Sequence, residues 1–142
     1  MIKDGIFFDR RTLELRYQMP VKNIEPFFKG LEEGKIRATK CKTCGSIYFP
    51  PQIHCPRCNP GIMEWIDLDG DGKLETFSSI EIAPTSFQNE GKYIVAIGLL
   101  KEGVRALAWI DAKESDLRIG KRIRLVARKK DDAFTYVFNL VE

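Results

Sequence analysis

The stretch Cys41-Lys42-Thr43-Cys44-Gly45, followed by Cys55-Pro56-Arg57-Cys58 with ten residues between Cys44 and Cys55, decides how this chain is read. It uses every cysteine in the sequence. Each C-x-x-C pair turns tightly enough to aim two sulfurs at one point, and Gly45 supplies a backbone that tolerates positive φ after the first pair. Thiolates are soft donors that select zinc or iron. Four protein ligands leave no position for water or substrate, so Cys41, Cys44, Cys55 and Cys58 are read as a structural zinc site. Repetition of the pair argues against a single redox dithiol, and a chain read as cytoplasmic argues against disulfides. His54, beside Cys55, is read as a surface residue of the loop.

Outward from the cysteines, the two flanks differ in kind. On the N-terminal side, Asn23 as cap, Pro26 in a first turn, Phe27, Phe28 and Leu31 on one side, and Gly34 at the end predict a short amphipathic helix over residues 24–33. Residues 35–40 form an extended run into the first cysteine pair, and residues 1–18 show no clear period. On the C-terminal side, residues 64–68, 73–83, 92–100, 104–111, 122–129 and 134–141 are short, rich in β-branched and aromatic residues, and bounded by Gly, Asp, Asn or Pro. A helical turn is expected over residues 113–117. This outline predicts a mainly β chain with a five-stranded OB-type barrel, an antiparallel sandwich being the alternative. The expected division is an N-terminal arm and helix over residues 1–35, a zinc ribbon over 36–63 and an OB-fold domain over 64–142.

The 142 residues contain 44% hydrophobic and 30% charged side chains, a composition that suits a folded globular protein. No run is long and apolar enough to span a bilayer, and residues 1–16 lack a secretory pattern, so the expected location is the cytoplasm, away from membranes. The net charge is only +3, yet Arg118, Lys121, Arg122, Arg124, Arg128, Lys129 and Lys130 crowd one stretch. Such a face suits phosphate groups, or simply keeps a strand soluble. Asp67, Asp69, Asp71, Gly72 and Glu75 imitate the start of a calcium loop. Ser78 stands where a bidentate Glu is required, and the flanks read as strands, so residues 69–72 are expected to form a hairpin turn. No nucleophile elbow, P-loop or dinucleotide fingerprint is present, which favours a binding or assembly role over catalysis.

The run from Pro26 to Ile36 (PFFKGLEEGKI), the two cysteine pairs, Phe49-Pro50-Pro51, Trp65, Tyr93 to Ile97 (YIVAI), Glu102 to Arg105 (EGVR) and Asp116 to Lys121 (DLRIGK) together resemble the acyl-CoA-associated zinc-ribbon and OB-fold proteins, the domain of unknown function 35 family. The resemblance spans residues 20–142. It implies an N-terminal helical segment, a rubredoxin-like zinc ribbon and a C-terminal OB barrel. It further implies a non-catalytic subunit that bridges or assists a thiolase or hydroxymethylglutaryl-CoA-synthase-like enzyme in acyl-CoA metabolism, such as the mevalonate pathway, and helps hold acyl-CoA. Only the four cysteines carry over individually as functional residues. On physical grounds Arg118, Lys121 and Arg122 are candidates for the CoA phosphates and Phe49 for an apolar contact, although core packing is the competing reading for Phe49, Trp65 and Trp109. Two other functions remain open: binding of single-stranded nucleic acid, against which the near-balanced charge argues, and rubredoxin-like electron transfer through iron.

Overall fold

Asp4 and Gly5 both adopt left-handed backbone angles, φ 54° and 76°, the geometry of a two-residue hairpin loop. They join β1 (Ile2–Lys3) to β2 (Ile6–Phe7) as an antiparallel pair. The computed structural model describes residues 2–7 and 18–141, so within residues 1–18, which show no clear period, residues 1 and 8–17 lie outside the described residues.

The helix expected over residues 24–33 is α1, Glu25–Glu32. It is entered through a 3-10 turn, Lys22–Ile24; Asn23 lies inside that turn, and the cap position falls to Ile24, which makes no side-chain capping bond. Pro26 is tolerated because a first-turn N–H has no helical partner to lose. Gly34 ends the helix at φ +77°, with its N–H on the Leu31 carbonyl at 3.1 Å and the Lys35 N–H on Gly30 at 2.7 Å. That pair of bonds satisfies carbonyls the helix leaves open. Phe27, Gly30 and Leu31 form the buried face.

Three strands make the ribbon sheet: β3 (Ile36–Cys41) lies between β4 (Ile47–Tyr48) and β5 (Met63–Leu68). The register runs from Ile36↔Leu68 to Cys41↔Met63. Residues 64–68, expected to open the barrel, therefore pair with the ribbon. The hairpin expected at residues 69–72 is also absent, because β5 and the next strand belong to different sheets. The segment is instead a crossing pinned to the barrel. Gly70 sits at φ +91°, accepts a hydrogen bond from the Leu125 N–H at 2.8 Å, and would place a Cβ only 2.3 Å from the Leu125 carbonyl oxygen. Its neighbouring carboxylates hold cations of the protein itself: Asp69 meets Lys101 at 2.7 Å and Arg124 at 3.8 Å, and Asp71 meets Arg124 at 3.7 Å and Arg122 at 3.9 Å.

The remaining strands, β6 (Asp71–Ile80), β7 (Tyr93–Leu100), β8 (Arg105–Asp111), β9 (Arg122–Lys130) and β10 (Ala133–Leu140), close into a barrel in the order β10-β8-β7-β6-β9. All neighbours are antiparallel except β8 and β10, which is the OB arrangement. The helical turn expected over residues 113–117 is a 3-10 turn, Glu114–Asp116, and it inserts Leu117 fully into the interior. Small residues on β7 and β8 (Ala96, Gly98, Ala106, Ala108) make room for Ile123, Leu125 and Phe138. A Cβ on Gly98 would come within 2.5 Å of Ile123 and 2.9 Å of Phe138. Phe27, Leu31, Ile36, Ala38 and Leu68 join the same buried cluster, so helix, ribbon and barrel share one core.

Candidate metal centre

Cys41 ends β3, and its partner Cys44 follows on a turn closed by the Gly45 N–H bonding to the Cys41 carbonyl at 2.8 Å. The second pair repeats the construction, with the Asn59 N–H on the Cys55 carbonyl at 2.9 Å. Even the next bond repeats: Cys41 N–H reaches the Ser46 carbonyl and Cys55 N–H reaches the Pro60 carbonyl, at 2.9 and 2.7 Å. Gly45 has φ +73°, and Asn59, its counterpart, has φ +25°. Two equivalent knuckles thus face each other. The loop between them is tied to β3 by the buried Thr39 hydroxyl, which donates to the Gln52 carbonyl and accepts from the Gln52 N–H, each at 2.9 Å.

The four sulfurs lie within 4.8 Å of one another; Cys41 and Cys58 are 3.9 Å apart, and Cys44 and Cys55 are 3.6 Å apart. A tetrahedron with Zn–S bonds of ~2.3 Å has edges of about 3.8 Å, so this donor set fits zinc. Cys41 and Cys55 are fully buried, whereas Cys44 is exposed. The thiols are not equivalent. The Tyr48 hydroxyl, donating to Cys55 at 3.3 Å, is the main cause holding that thiol down to about 6. Cys58 is pushed up to about 12, first by its hydrogen bond with Cys44 and then by burial. Arg57 donates to Ser46 Oγ at 3.2 Å, and Ser46, 3.3 Å from Cys44, is the main reason that thiol titrates below its ordinary range. Tyr48 and Ser46 thus favour thiolate at Cys55 and Cys44, the form a metal requires. Gly61, at φ +67°, completes the site by lying where a Cβ would be 2.7 Å from the Cys55 Cβ and 3.3 Å from the Cys41 sulfur. Tyr48, Ser46, Arg57, Asn59 and Gly61 were not singled out by sequence. Asn59 alone carried a recognisable signal, as a residue type that tolerates positive φ at the position matching Gly45.

The model of the ChsH2 rubredoxin-like zinc ribbon domain matches residues 28–61, and that of the ChsH2 C-terminal OB-fold domain matches residues 65–128. A DUF35 domain-containing scaffold protein of Methanocaldococcus jannaschii is 40% identical over 96 residues, which cover 66% of this chain and 68% of that protein. The chain belongs to the DUF35 family. A second DUF35 scaffold protein, from Methanothermobacter thermautotrophicus, is 32% identical over 110 residues, 72% of this chain and 83% of its own. Among solved structures, the Ltp2-ChsH2(DUF35) aldolase shares the fold of this DUF35 chain at TM-score 0.70 and 22% identity, covering 82% of this chain and 92% of that one. A DUF35 protein of unknown function from Sulfolobus solfataricus does so at TM-score 0.59 and 16% identity, covering 85% and 92%.

The other residues singled out by sequence in the DUF35 chain are dispersed. Phe49 packs between Phe27 and Tyr136, at ring-centroid distances of 6.1 and 5.2 Å, and Trp65 also lies against the core. Trp109 does not; it faces outward and stacks on Tyr93 at 4.2 Å. Arg118 turns back on its own loop, donating to the Leu117 and Ser115 carbonyls at 2.6 and 3.1 Å. Lys121 and Arg122 are exposed at one end of β9, and Arg122 stands directly across from Lys73. Phe49 sits beside Tyr136, whose strand partner Ala127 is five residues further along β9, about 16 Å from Arg122 at the rise of an extended strand. The basic stretch is no bare cationic strip: Arg122, Arg124, Arg128 and Lys130 each meet a carboxylate, at Asp71, Asp69 and Asp71, Asp111 and Glu90 respectively. Among the described residues no helix is long and apolar enough to cross a membrane.

Proposed function

We propose that this chain is a non-catalytic, zinc-containing scaffolding subunit for an acyl-CoA enzyme of the thiolase or hydroxymethylglutaryl-CoA-synthase type, working in the cytoplasm. The observation that carries the reading is the closed four-cysteine centre at the end of β3, a strand whose Ile36 and Ala38 lie in the same core as the barrel. It is a fastening device with every coordination position taken by protein. The scaffold naming of the relatives and the appearance of ChsH2 together with Ltp2 in a solved aldolase support the same direction. On this reading the helix α1, the ribbon sheet through Leu68 and the barrel from Asp71 to Leu140 form one platform. Zinc holds the platform's shape and the partner enzyme supplies the reacting groups.

For the acyl-CoA phosphates we favour Lys121 and Arg122, together with Lys73. Lys73 and Arg122 line a barrel-end cavity of about 540 Å³ that also has Asp71, Leu99 and Lys101 in its wall, and Lys121 adjoins Arg122 in the chain. Like charges placed directly across a strand pair repel, and a phosphate between Lys73 and Arg122 relieves that repulsion. Arg118 is already engaged by its own loop, and Phe49 is a partly buried side chain packed against the core.

Affinity purification of the zinc-loaded chain from its native cell, followed by mass spectrometry, tests the reading. The expected result is stoichiometric recovery of a thiolase- or synthase-type enzyme, weakened by Cys41→Ser while the enzyme's own turnover is unaffected. Recovery of the chain as a lone monomer overturns it.

A further inference from the structure

The barrel is closed unevenly. β8 pairs with β7 from Arg105 to Trp109, but on its other side it meets β10 only at Ile110 and Asp111. β10 in turn spends its ladder on β9. Alternate residues of a strand point N–H and C=O to opposite sides, so both strands turn unused backbone groups into the gap where they part. That gap is a cleft of about 410 Å³ with Leu107 and Trp109 on one wall and Thr135 and Val137 on the other. Phe87 leans over it, 5.6 Å from the Trp109 ring. Leu107 is 60% exposed and Phe87 41%, and with Trp109 they form one contiguous apolar lining of the cleft.

Arg128 adds the second observation. It lines the cleft, one of its terminal nitrogens donates to Asp111 at 3.0 Å, and its Nε–H is buried with no hydrogen-bond partner. A buried donor left unmade is costly, and a carbonyl oxygen entering the cleft would satisfy it. The two cations at the cleft, Arg128 and Lys130, are already held by Asp111 and Glu90. With Glu90 itself in the lining, a polyanion finds no unopposed positive charge there. The exposed strand edges, the apolar walls and the orphan donor share one complement.

We propose that the β8–β10 cleft is a docking site for an extended, uncharged peptide segment of another protein, which adds as a strand between β8 and β10 and offers a backbone carbonyl to Arg128 Nε–H. Strand addition of this kind takes affinity from main-chain bonds and specificity from alternate side chains, here apolar ones facing Leu107, Trp109 and Phe87. The site does not depend on the acyl-CoA reading: it stands if the partner enzyme proves to be of another class.

The test pans the full-length, zinc-loaded chain against a phage-displayed library of random linear peptides. Enriched sequences should alternate apolar residues and lack charge. Their synthetic forms should protect backbone amides of β8 and β10 from hydrogen exchange. Leu107→Glu, at an exposed position that does not threaten folding, should weaken binding by about tenfold or more by setting a charge against an apolar segment. Arg128→Lys keeps the cation but removes Nε–H and should weaken binding several-fold. Ile119→Glu, at a 73% exposed position outside the cleft, should leave it unchanged. No enrichment, protection confined to another face, or binding indifferent to Leu107→Glu overturns the proposal.

Discussion

Gly61→Ala isolates what the metal centre demands of the backbone around it. Two costs are visible. An alanine at φ +67° occupies the left-handed region, at about 1–2 kcal/mol. Its Cβ would also lie 2.7 Å from the Cys55 Cβ, 3.2 Å from the Cys58 Cβ and 3.3 Å from the Cys41 sulfur. Ordinary carbon contacts begin near ~3.5 Å, so three ligand side chains have to yield, and overpacking of this kind costs about 1–3 kcal/mol. Because ligand placement and ribbon folding are one event, the cost appears as lost zinc affinity. A sum near ~3 kcal/mol corresponds to roughly a hundredfold weakening. Gly45→Ala is the matched control: its φ is +73°, but nothing lies within 4 Å of the added carbon. It should show only the backbone cost, about tenfold. Competition against a chromophoric chelator measures both affinities. If the two variants bind zinc equally, the packing of Gly61 against the ligands is not what shapes the site. If neither differs from the native chain, left-handed backbone at these two glycines is not a constraint on the site.

Tyr48→Phe removes the hydroxyl that holds Cys55 as thiolate and should lower zinc affinity by about tenfold, the weaker end of what outer-shell partners contribute; an unchanged chelator titration contradicts this. Asp69→Asn tests the crossing between sheets, where the Lys101 hydrogen bond is the main cause holding the Asp69 carboxyl below its ordinary 3.8. A depressed carboxylate pKa stabilises the fold above the ordinary value and ceases to do so as pH falls through the lower folded-state value. The native urea midpoint should therefore exceed that of Asp69→Asn near neutral pH and converge with it in acid; a gap that is constant with pH rules the ion pair out as its cause.

Local chemistry was legible where it was local. The spacing of the cysteines was sufficient to bring four sulfurs together, since each knuckle is a five-residue turn closed on itself. Gly34 ended the helix for the reason any sequence reader would give, and alternating residues in β9 and β10 became strands within a residue of the expected limits. Asp4-Gly5 carried a hairpin signal that the surrounding charge obscured. What could not be read was which strand meets which. Residues 64–68 precede a Gly-rich turn and a second strand, the outline of a hairpin. Their true partner is β3, on the far side of the metal loop, and nothing short-range encodes that choice.

That one pairing changes what the zinc is for. Taken in series, helix, ribbon and barrel would be three independent parts, and losing metal would cost only the middle one. In the fold, Cys41 is the last residue of β3, β3 fixes β5 from Met63 to Leu68, and two residues later Gly70 is bolted to Leu125 of β9. Ile36, Ala38 and Leu68 lie in the same buried cluster as Leu125 and Phe138. Any displacement of the knuckles therefore has a short covalent and packed route to β9, and through the β9–β10 ladder to one wall of the β8–β10 cleft. A metal held by the four cysteines would thus fix β3 and, through it, the strand against which the wall of the proposed docking cleft is registered.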